Sequence, residues 1–254
     1  MITAGIDCGA KSTKAVILKD GKIIGKGRVL TGFDQDKAVK DSLEEACKAA
    51  GITEKDIEKI GGTGSGKNSI KGAVIVNDIK AMARAARFFF TGARTAVDVG
   101  AEEARAAKLD EKGNAVDFAI NEKCAAGAGS FIEAMSRALE TPLEEMGPLA
   151  LTSDSEIPMN AQCAIFAESE VVGLIHARTA KKDISRAIHD SIASRIVSMI
   201  RRIGVNEEVV MLGGMAYNPG FVNAMKTQLN IEKVQIPDDP EFGAAVGAAV
   251  AAGE

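Results

Sequence analysis

Two segments of the sequence place an aspartate two residues before a glycine, between two apolar runs. They read TAGIDCGAKSTKAVIL at residues 3–18 and TAVDVGAEEARAAKL at 95–109. An Asp-x-Gly turn points backbone N–H groups outward, where they suit phosphate oxygens, and its carboxylate can hold hydrated Mg²⁺ through water. Gly9 and Gly100 allow close approach of a ligand to the backbone. One such turn is typical of an ordinary hairpin, whereas two in equivalent positions favour phosphate binding around Asp7 and Asp98.

A third segment, EEVVMLGGMA at 207–216, predicts a buried strand that ends at Gly213 and Gly214. The following NPGFVNAMKTQL predicts a helix. A strand, a Gly-Gly pair and a helix N-terminus in this order are suited to binding adenosine or ribose.

The elements around both aspartates form an internal repeat. Each repeat continues into a third predicted strand, KIIGKGRVL at 22–30 and AVDFAI at 115–120. In the first repeat a helix with one apolar face follows. The segment EEMGPLALTSDSEIP at 144–158 is predicted to be a loop, and the C-terminal EFGAAVGAAVAA a small-residue helix packed on a sheet. The sequence therefore predicts an α/β protein of two similar halves around a cleft.

The segment GGTGSGKNS at 61–69 nearly matches the phosphate loop G-x-x-x-x-G-K-[ST]. Asn68 replaces the hydroxyl residue that binds Mg²⁺, and the flanking segments lack the long buried strand and the helix start that this loop requires. We interpret the segment as a connection between the two halves, in which Lys67 is not a phosphate-loop lysine.

Bulk properties narrow the class of protein. The 254 residues are 46% hydrophobic and 26% charged, with a net charge of −4, which gives no electrostatic basis for binding nucleic acid or an anionic membrane. The N-terminus lacks the pattern of a signal peptide, and no stretch is apolar enough to span a bilayer. We expect a cytoplasmic protein with reduced cysteines.

Two of the four cysteines begin predicted helices, where the helix dipole favours a thiolate. These are Cys124 in AINEKCAAGAGSF and Cys163 in PMNAQCAIFAESE, whereas Cys8 and Cys47 lie on apolar faces and are predicted to be structural. Buried structural thiols are the alternative for Cys124 and Cys163 too. Two thiolates cannot complete a four-ligand site, but two chains could.

These motifs together resemble the acetate kinase, sugar kinase, Hsp70 and actin superfamily. Within it, NEKCAAGAGSF and QCAIFAESEV resemble the cysteine motifs of the 2-hydroxyacyl-CoA dehydratase activators and of the ATPase subunits of benzoyl-CoA reductases. The resemblance implies two actin/Hsp70-like (ribonuclease H-like) βββαβα halves, residues 1–68 and 69–254, with C-terminal helices packing back on the first half. It also implies one [4Fe-4S] cluster that bridges two subunits through Cys124 and Cys163.

The resemblance further implies residue roles in binding ATP or ADP. Asp7 and Asp98 would position Mg²⁺ and the nucleotide. The implied phosphate contacts are Ser12, Thr13, Lys14 and the backbone of Gly9 and Gly100. Gly127 and Gly129 would keep the cysteine loop near the cleft and cluster, and Gly213, Gly214 and Met215 would hold adenosine. Implied partners are a ferredoxin or flavodoxin as electron donor and an iron–sulfur reductase or dehydratase of acyl-CoA as recipient.

One departure from the family pattern falls in the second turn. The family's DIGGQD is replaced by DVGAEE, so Ala101 and Glu102 stand where Gly and Gln are expected. Glu102 could act as a general base, but it also places negative charge near the terminal phosphate. This departure predicts a benzoyl-CoA reductase-type subunit paired with a paralogue. The alternatives are a homodimeric dehydratase activator, a small-molecule kinase and a nucleotide switch with weak hydrolysis.

Overall fold

A computed structural model of the protein describes residues 1–121, 128–160 and 164–254. Its strands form two sheets. The first sheet contains β1 (Ile2–Cys8), β2 (Ser12–Lys19), β3 (Lys22–Leu30), β4 (Lys59–Thr63) and β5 (Val74–Ile75), and the second contains β6 (Thr95–Val99), β7 (Ala104–Leu109), β8 (Ala115–Asn121) and β9 (Val209–Leu212). The helices are α1 (Gln35–Ala50), α2 (Asp78–Phe89), α3 (Ala128–Ala138), α4 (Leu143–Ala150), α5 (Ala164–His176), α6 (Lys181–Ile203), α7 (Pro219–Leu229) and α8 (Gly243–Gly253).

The two sheets repeat one topology. Their strand orders are β3-β2-β1-β4-β5 and β8-β7-β6-β9. In each sheet the first three strands are antiparallel, and a later strand pairs in parallel with the first of them. The predicted α/β class and the duplication are therefore confirmed.

Helix α1 shows how the sequence defines an element that covers the first sheet. Asp34 caps its N-terminus by accepting a hydrogen bond from the backbone N–H of Lys37, and Gly51 ends it with a φ of 67°. Val39, Leu43 and Cys47 recur at four-residue spacing and pack in one core cluster with the sheet. Cys47 is thus the structural thiol that the sequence predicts.

The largest core cluster lies between the second sheet and several helices. Its centre is α6, where isoleucines at 184, 188, 192, 196 and 200 are fully buried. Helix α4 packs on α6 and corrects the first part, 144–150, of the loop predicted at 144–158; residues 151–158 contain neither helix nor strand. Met146 is buried, and the Ser185 hydroxyl donates to its carbonyl oxygen at 2.7 Å, so tertiary contacts stabilise this short helix despite Pro148.

Helix α8 packs closely on both the first sheet and α2. A Cβ atom added to Gly247 would lie 1.7 Å from the carbonyl oxygen of Ala81, and one added to Gly5 would lie 1.9 Å from that of Ala245. The small residues of α8 permit this contact between backbones. Both β5 and α8 follow residue 68 in the chain. The first sheet and the helix that covers it therefore contain residues from both sides of this position.

We predict that Gly247→Ala lowers the free energy of unfolding by about 3 kcal/mol, because its methyl group has no space beside α2. The matched control is Gly173→Ala in α5, where an added Cβ meets no atom within 4 Å. This control should be neutral or slightly stabilising, since alanine favours helix. Urea denaturation of both variants gives the comparison, and equal stabilities would contradict the close packing of α8.

Among the helices of the described ranges, none is both long and apolar enough to cross a bilayer.

Candidate nucleotide site

A cavity of about 550 Å³ lies between the two sheets. The first Asp-Gly turn (residues 7–12) and the second Asp-Gly turn (residues 98–103) both contribute to its wall. Further parts of the wall come from the connection after β4, from α3 and α4, and from the segment between β9 and α7. A cavity of this size between two Asp-Gly turns can accommodate a nucleotide.

In the first sheet, strand register sets an aspartate opposite a lysine. Asp7 at the end of β1 pairs with Lys14 of β2, and the Lys14 Nζ lies 3.3 Å from the Asp7 Oδ2. Gly64, just after β4, has a φ of 90°, and a Cβ there would lie 2.5 Å from the Asp7 Oδ1. A glycine is therefore required beside this carboxylate.

The second sheet repeats this arrangement. Asp98 of β6 pairs with Arg105 of β7. Gly213, just after β9, has a φ of 85°, and a Cβ there would lie 2.4 Å from the Asp98 Oδ1. The Gly-rich segment around Gly64 is therefore the first-half counterpart of the segment around Gly213, and its residues 61–63 end β4 of the first sheet.

The two aspartates share one electrostatic environment. Burial is the main reason that the pKa of Asp98 lies above its ordinary value; Arg105 opposes this effect, and Asp7 reinforces it. Two carboxylates that repel each other in one cavity are suited to a divalent cation. In the described part of the chain, no group of three or more His, Cys, Asp or Glu side chains forms a metal site. Mg²⁺ bound with nucleotide needs only one or two carboxylates.

Asp78 is a cavity residue that the sequence analysis did not identify. It begins α2, and its Oδ1 accepts hydrogen bonds from the Thr63 hydroxyl at 3.1 Å and the Gly64 N–H at 3.0 Å. Burial alone would raise the pKa of Asp78, but Arg105, Lys67 and these hydrogen bonds hold it below its ordinary value. The Lys67 Nζ is 3.5 Å from the Asp78 Oδ2, so Lys67 serves an ion pair. The sequence signal was the helix start at Asn77, which caps α2.

Arg105 is the second missed residue, and it lies among several carboxylates. It contacts Glu103 directly, its Nη2 is 3.9 Å from the Asp78 Oδ1, and Asp98 attracts it. We predict that Arg105→Met lowers the free energy of unfolding by about 3 kcal/mol, because it leaves partly buried carboxylates unpaired. Arg105→Lys should keep most of the stability, since Lys14 fills the equivalent position of the first half. Thermal unfolding and ATPase assays of both variants test this; equal losses would contradict it.

Most of the predicted site residues line the cavity. They are Asp7, Gly9, Ser12, Lys14, Asp98, Gly100, Ala101, Glu102, Gly129, Gly213, Gly214 and Met215. Thr13 corrects the prediction. Side chains alternate along β2, so its hydroxyl lies on the face of the sheet opposite to the side chains of Ser12 and Lys14. That hydroxyl is fully buried, 2.9 Å from the Thr31 Oγ1, and so the predicted phosphate contact of Thr13 gives way to a structural role. Cys124, Cys163 and Gly127 lie outside the described residues.

The start of α3 is bonded to the second Asp-Gly turn. The Gly129 N–H donates to the Gly100 carbonyl oxygen at 3.2 Å, and the Ser130 N–H donates to that of Ala101 at 2.9 Å. A Cβ on Gly129 would lie 2.9 Å from the Ala101 Cα, so glycine permits this contact. Helix α3 follows the segment that contains Cys124, and it packs on α5, which follows Cys163.

The opposite end of the cavity contains residues without a prior assignment. The Arg28 Nε of β3 lies 3.2 Å from the Glu241 Oε2, so an ion pair joins the first sheet to the segment before α8. Tyr217 is half-exposed in the same wall, and Asn218 caps α7 through the Phe221 N–H at 3.0 Å. No sequence motif marks Arg28 and Glu241, which the fold brings together from distant segments, whereas Tyr217 and Asn218 directly follow the predicted Gly-Gly segment.

Two similar α/β halves with paired Asp-Gly turns around a cavity form a fold suited to binding a nucleotide, and the fold resembles that of a sugar kinase, the glucokinase from Streptomyces griseus, with a TM-score of 0.64. The chain belongs to the BadF/BadG/BcrA/BcrD ATPase family, whose pattern matches residues 4–252.

Relatives of known role are similar over almost their whole length. An activator of lactoyl-CoA dehydratase from Anaerotignum propionicum is 37% identical over all of this chain and 98% of its own. The structure of (R)-2-hydroxyglutaryl-CoA dehydratase component A from Acidaminococcus fermentans has a TM-score of 0.93 at 31% identity, covering 99% of this chain and 97% of that one. The activator of the 2-hydroxyisocaproyl-CoA dehydratase from Clostridium difficile, with bound ADPNP, has a TM-score of 0.91 at 34% identity, covering 99% and 94%.

A reductase relative is more distant. One of the subunits of benzoyl-CoA reductase from Thauera aromatica is 27% identical over 98% of this chain and 92% of its own. The comparisons therefore favour the activator alternative over the reductase-type protein that Ala101 and Glu102 suggested.

Proposed function

We propose that this ATPase activates a 2-hydroxyacyl-CoA dehydratase by delivering low-potential electrons at the expense of ATP. The observation behind the proposal is the pair of backbone hydrogen bonds from Gly129 and Ser130 to the second Asp-Gly turn. They connect the nucleotide cavity to the helix that follows Cys124. A change at the phosphates would therefore be transmitted to the start of α3.

Different residues of the cavity would bind different parts of ATP. The phosphates would lie between the two Asp-Gly turns, with N–H groups and Ser12 as donors. Asp7 and Asp98 would hold Mg²⁺, which neutralises charge that develops on the transferred phosphoryl group. Gly213, Gly214 and Met215 would contact adenosine at the far wall.

Hydrolysis would change the anionic charge between the turns, and α3 would respond through its bonds to the second turn. Cys124 and Cys163 would hold a [4Fe-4S] cluster together with the same residues of a second copy. Such a cluster accepts and donates single electrons. The proposed assembly is a homodimer that receives electrons from a ferredoxin or flavodoxin.

A second candidate is a reductase-type subunit paired with a paralogue. It is favoured only by Ala101 and Glu102, which line the cavity at the second turn. Glu102 is exposed there, so its charge is screened by solvent and need not prevent hydrolysis.

The test is reconstitution under anaerobic conditions. The purified chain, ATP, Mg²⁺ and a strong reductant are combined with either an iron–sulfur 2-hydroxyacyl-CoA dehydratase or the catalytic part of a benzoyl-CoA reductase. We expect dehydration activity that depends on ATP and on this chain. Activation of the reductase alone would support the second candidate, and ATP hydrolysis without activation of either enzyme would overturn both.

A further inference from the structure

Lys11, in the first Asp-Gly turn, forms an ion pair across the cavity. Its Nζ contacts the Glu133 Oε1 of α3, and both residues line the cavity. Among the ion pairs of residues 1–121, 128–160 and 164–254, this one joins the first turn to α3. Helix α3 is therefore held from two sides, by backbone bonds to the second turn and by Lys11 of the first.

The other cations of the cavity have partners that do not involve α3. Lys14 pairs with Asp7 within its own hairpin, Arg105 contacts Glu103, and Arg28 pairs with the mostly buried Glu241. Lys11 is half-exposed, as is Arg28, but it differs from the other three cations in one respect: its release would affect α3 rather than a strand.

Exposure makes the pair between Lys11 and Glu133 easy to exchange. The side chains are 52% and 29% exposed, and ion pairs in such positions contribute little net stability. A phosphate oxygen in the same cavity offers Lys11 a stronger, charge-assisted partner. Lys11 and Glu102 also occupy equivalent positions, each the fourth residue after its aspartate, so a cation in the first turn corresponds to an anion in the second.

We infer that Lys11 exchanges partners when ATP binds, from Glu133 of α3 to the nucleotide phosphates, and that this exchange releases α3 from the first half. This inference rests on the proposed function in one respect, namely that the ligand of the cavity is ATP. Lys11 is then a phosphate contact, and Glu133 is a positioning residue that competes with the nucleotide for it.

The exchange predicts a gain in affinity, which a merely structural role of Glu133 would not produce. We expect Glu133→Gln to tighten binding of a non-hydrolysable ATP analogue with Mg²⁺ by about threefold, because the competitor is removed. Lys11→Met should weaken binding by about tenfold through loss of a charge-assisted contact, and Lys11→Arg should restore most of it. Calorimetric titration of the full chain measures all three.

The control for general charge effects is Glu144→Gln. Glu144 of α4 lines the same cavity and has no ion pair among the described residues. It should tighten binding less than Glu133→Gln does. In the Lys11→Met background, Glu133→Gln should have no effect beyond that of Glu144→Gln, because its partner is already gone.

Two results would overturn the exchange. One is equal affinity of Glu133→Gln and Glu144→Gln, and the other is tightening by Glu133→Gln that persists without Lys11. If the wild-type protein binds the analogue but activates no dehydratase, the proposed function is wrong, and the affinities of the single and double variants still test the exchange of partners. If wild type binds no nucleotide, both fail.

Discussion

Asp98→Asn should lower the rate of ATP hydrolysis by roughly a hundredfold or more, because it removes the carboxylate that we propose would hold Mg²⁺ against the phosphates. The substitution preserves shape. Asp98 is buried beside Gly213, where little space exists for a different side chain. The loss of ATPase activity would therefore result from removal of the charge rather than from a change in packing.

The same substitution should stabilise the folded protein at neutral pH. Because the pKa of Asp98 is raised in the folded state, chiefly by burial, the unfolded chain releases this proton at a lower pH than the folded chain does. The ionised carboxylate thus costs folding free energy once the pH exceeds the unfolded pKa, and the cost is complete above the folded pKa. Asparagine removes this cost, so the gain should shrink as the pH falls towards the unfolded pKa of Asp98.

Thermal unfolding at several pH values, with ATPase assays at neutral pH, measures both effects. Asp117→Asn is the control, since Asp117 is an exposed carboxylate of β8 on the same sheet and outside the cavity. It should change neither property. A variant Asp98→Asn that hydrolyses ATP at the wild-type rate would remove Asp98 from the site.

The expected gain in stability and loss of activity are consistent with a site whose carboxylate is buried for its function. A carboxylate that faces Asp7 and lies in a low-dielectric cleft is unfavourable in the empty protein. Bound Mg²⁺ would relieve that repulsion, so ligand binding and folding stability are coupled at this position.

The duplicated topology could be predicted from the sequence because local pattern determines it. Strand alternation and the Asp-Gly turns recur in both halves, and the structure places Asp7 and Asp98 in equivalent registers. Thr13 was the error within this motif. The period of two along β2 would have separated it from Ser12 and Lys14.

Residues brought to the cavity by tertiary contacts could not be found in this way. Asp78 enters the cavity from the start of α2, and its contact with Arg105 joins that helix start to the distant strand β7. Helix α4 was missed for a related reason. Its stability depends on burial of Met146 and on Ser185, far along the chain, rather than on helix propensity around Pro148.

The prediction with the largest effect concerns the two cysteines that the described residues do not include. Cys124→Ala and Cys163→Ala should each abolish the iron and acid-labile sulfide of the purified protein, which we expect at about four of each per dimer. A shared cluster takes two thiolates from each copy, so loss of either cysteine removes half of its ligands. Both variants should still bind ATP, since they retain every residue described in the cavity wall.

Cys47→Ala provides the matched control. Cys47 is buried in the core cluster of the first sheet, where burial raises the pKa of its thiol and keeps it protonated. This variant should lose some stability but keep its iron. Anaerobic purification with iron and sulfide analysis separates the outcomes. Wild-type protein that binds ATP but no iron, even after reconstitution with iron and sulfide, would contradict the electron-transfer role and leave an ATPase whose α3 responds to nucleotide for another purpose.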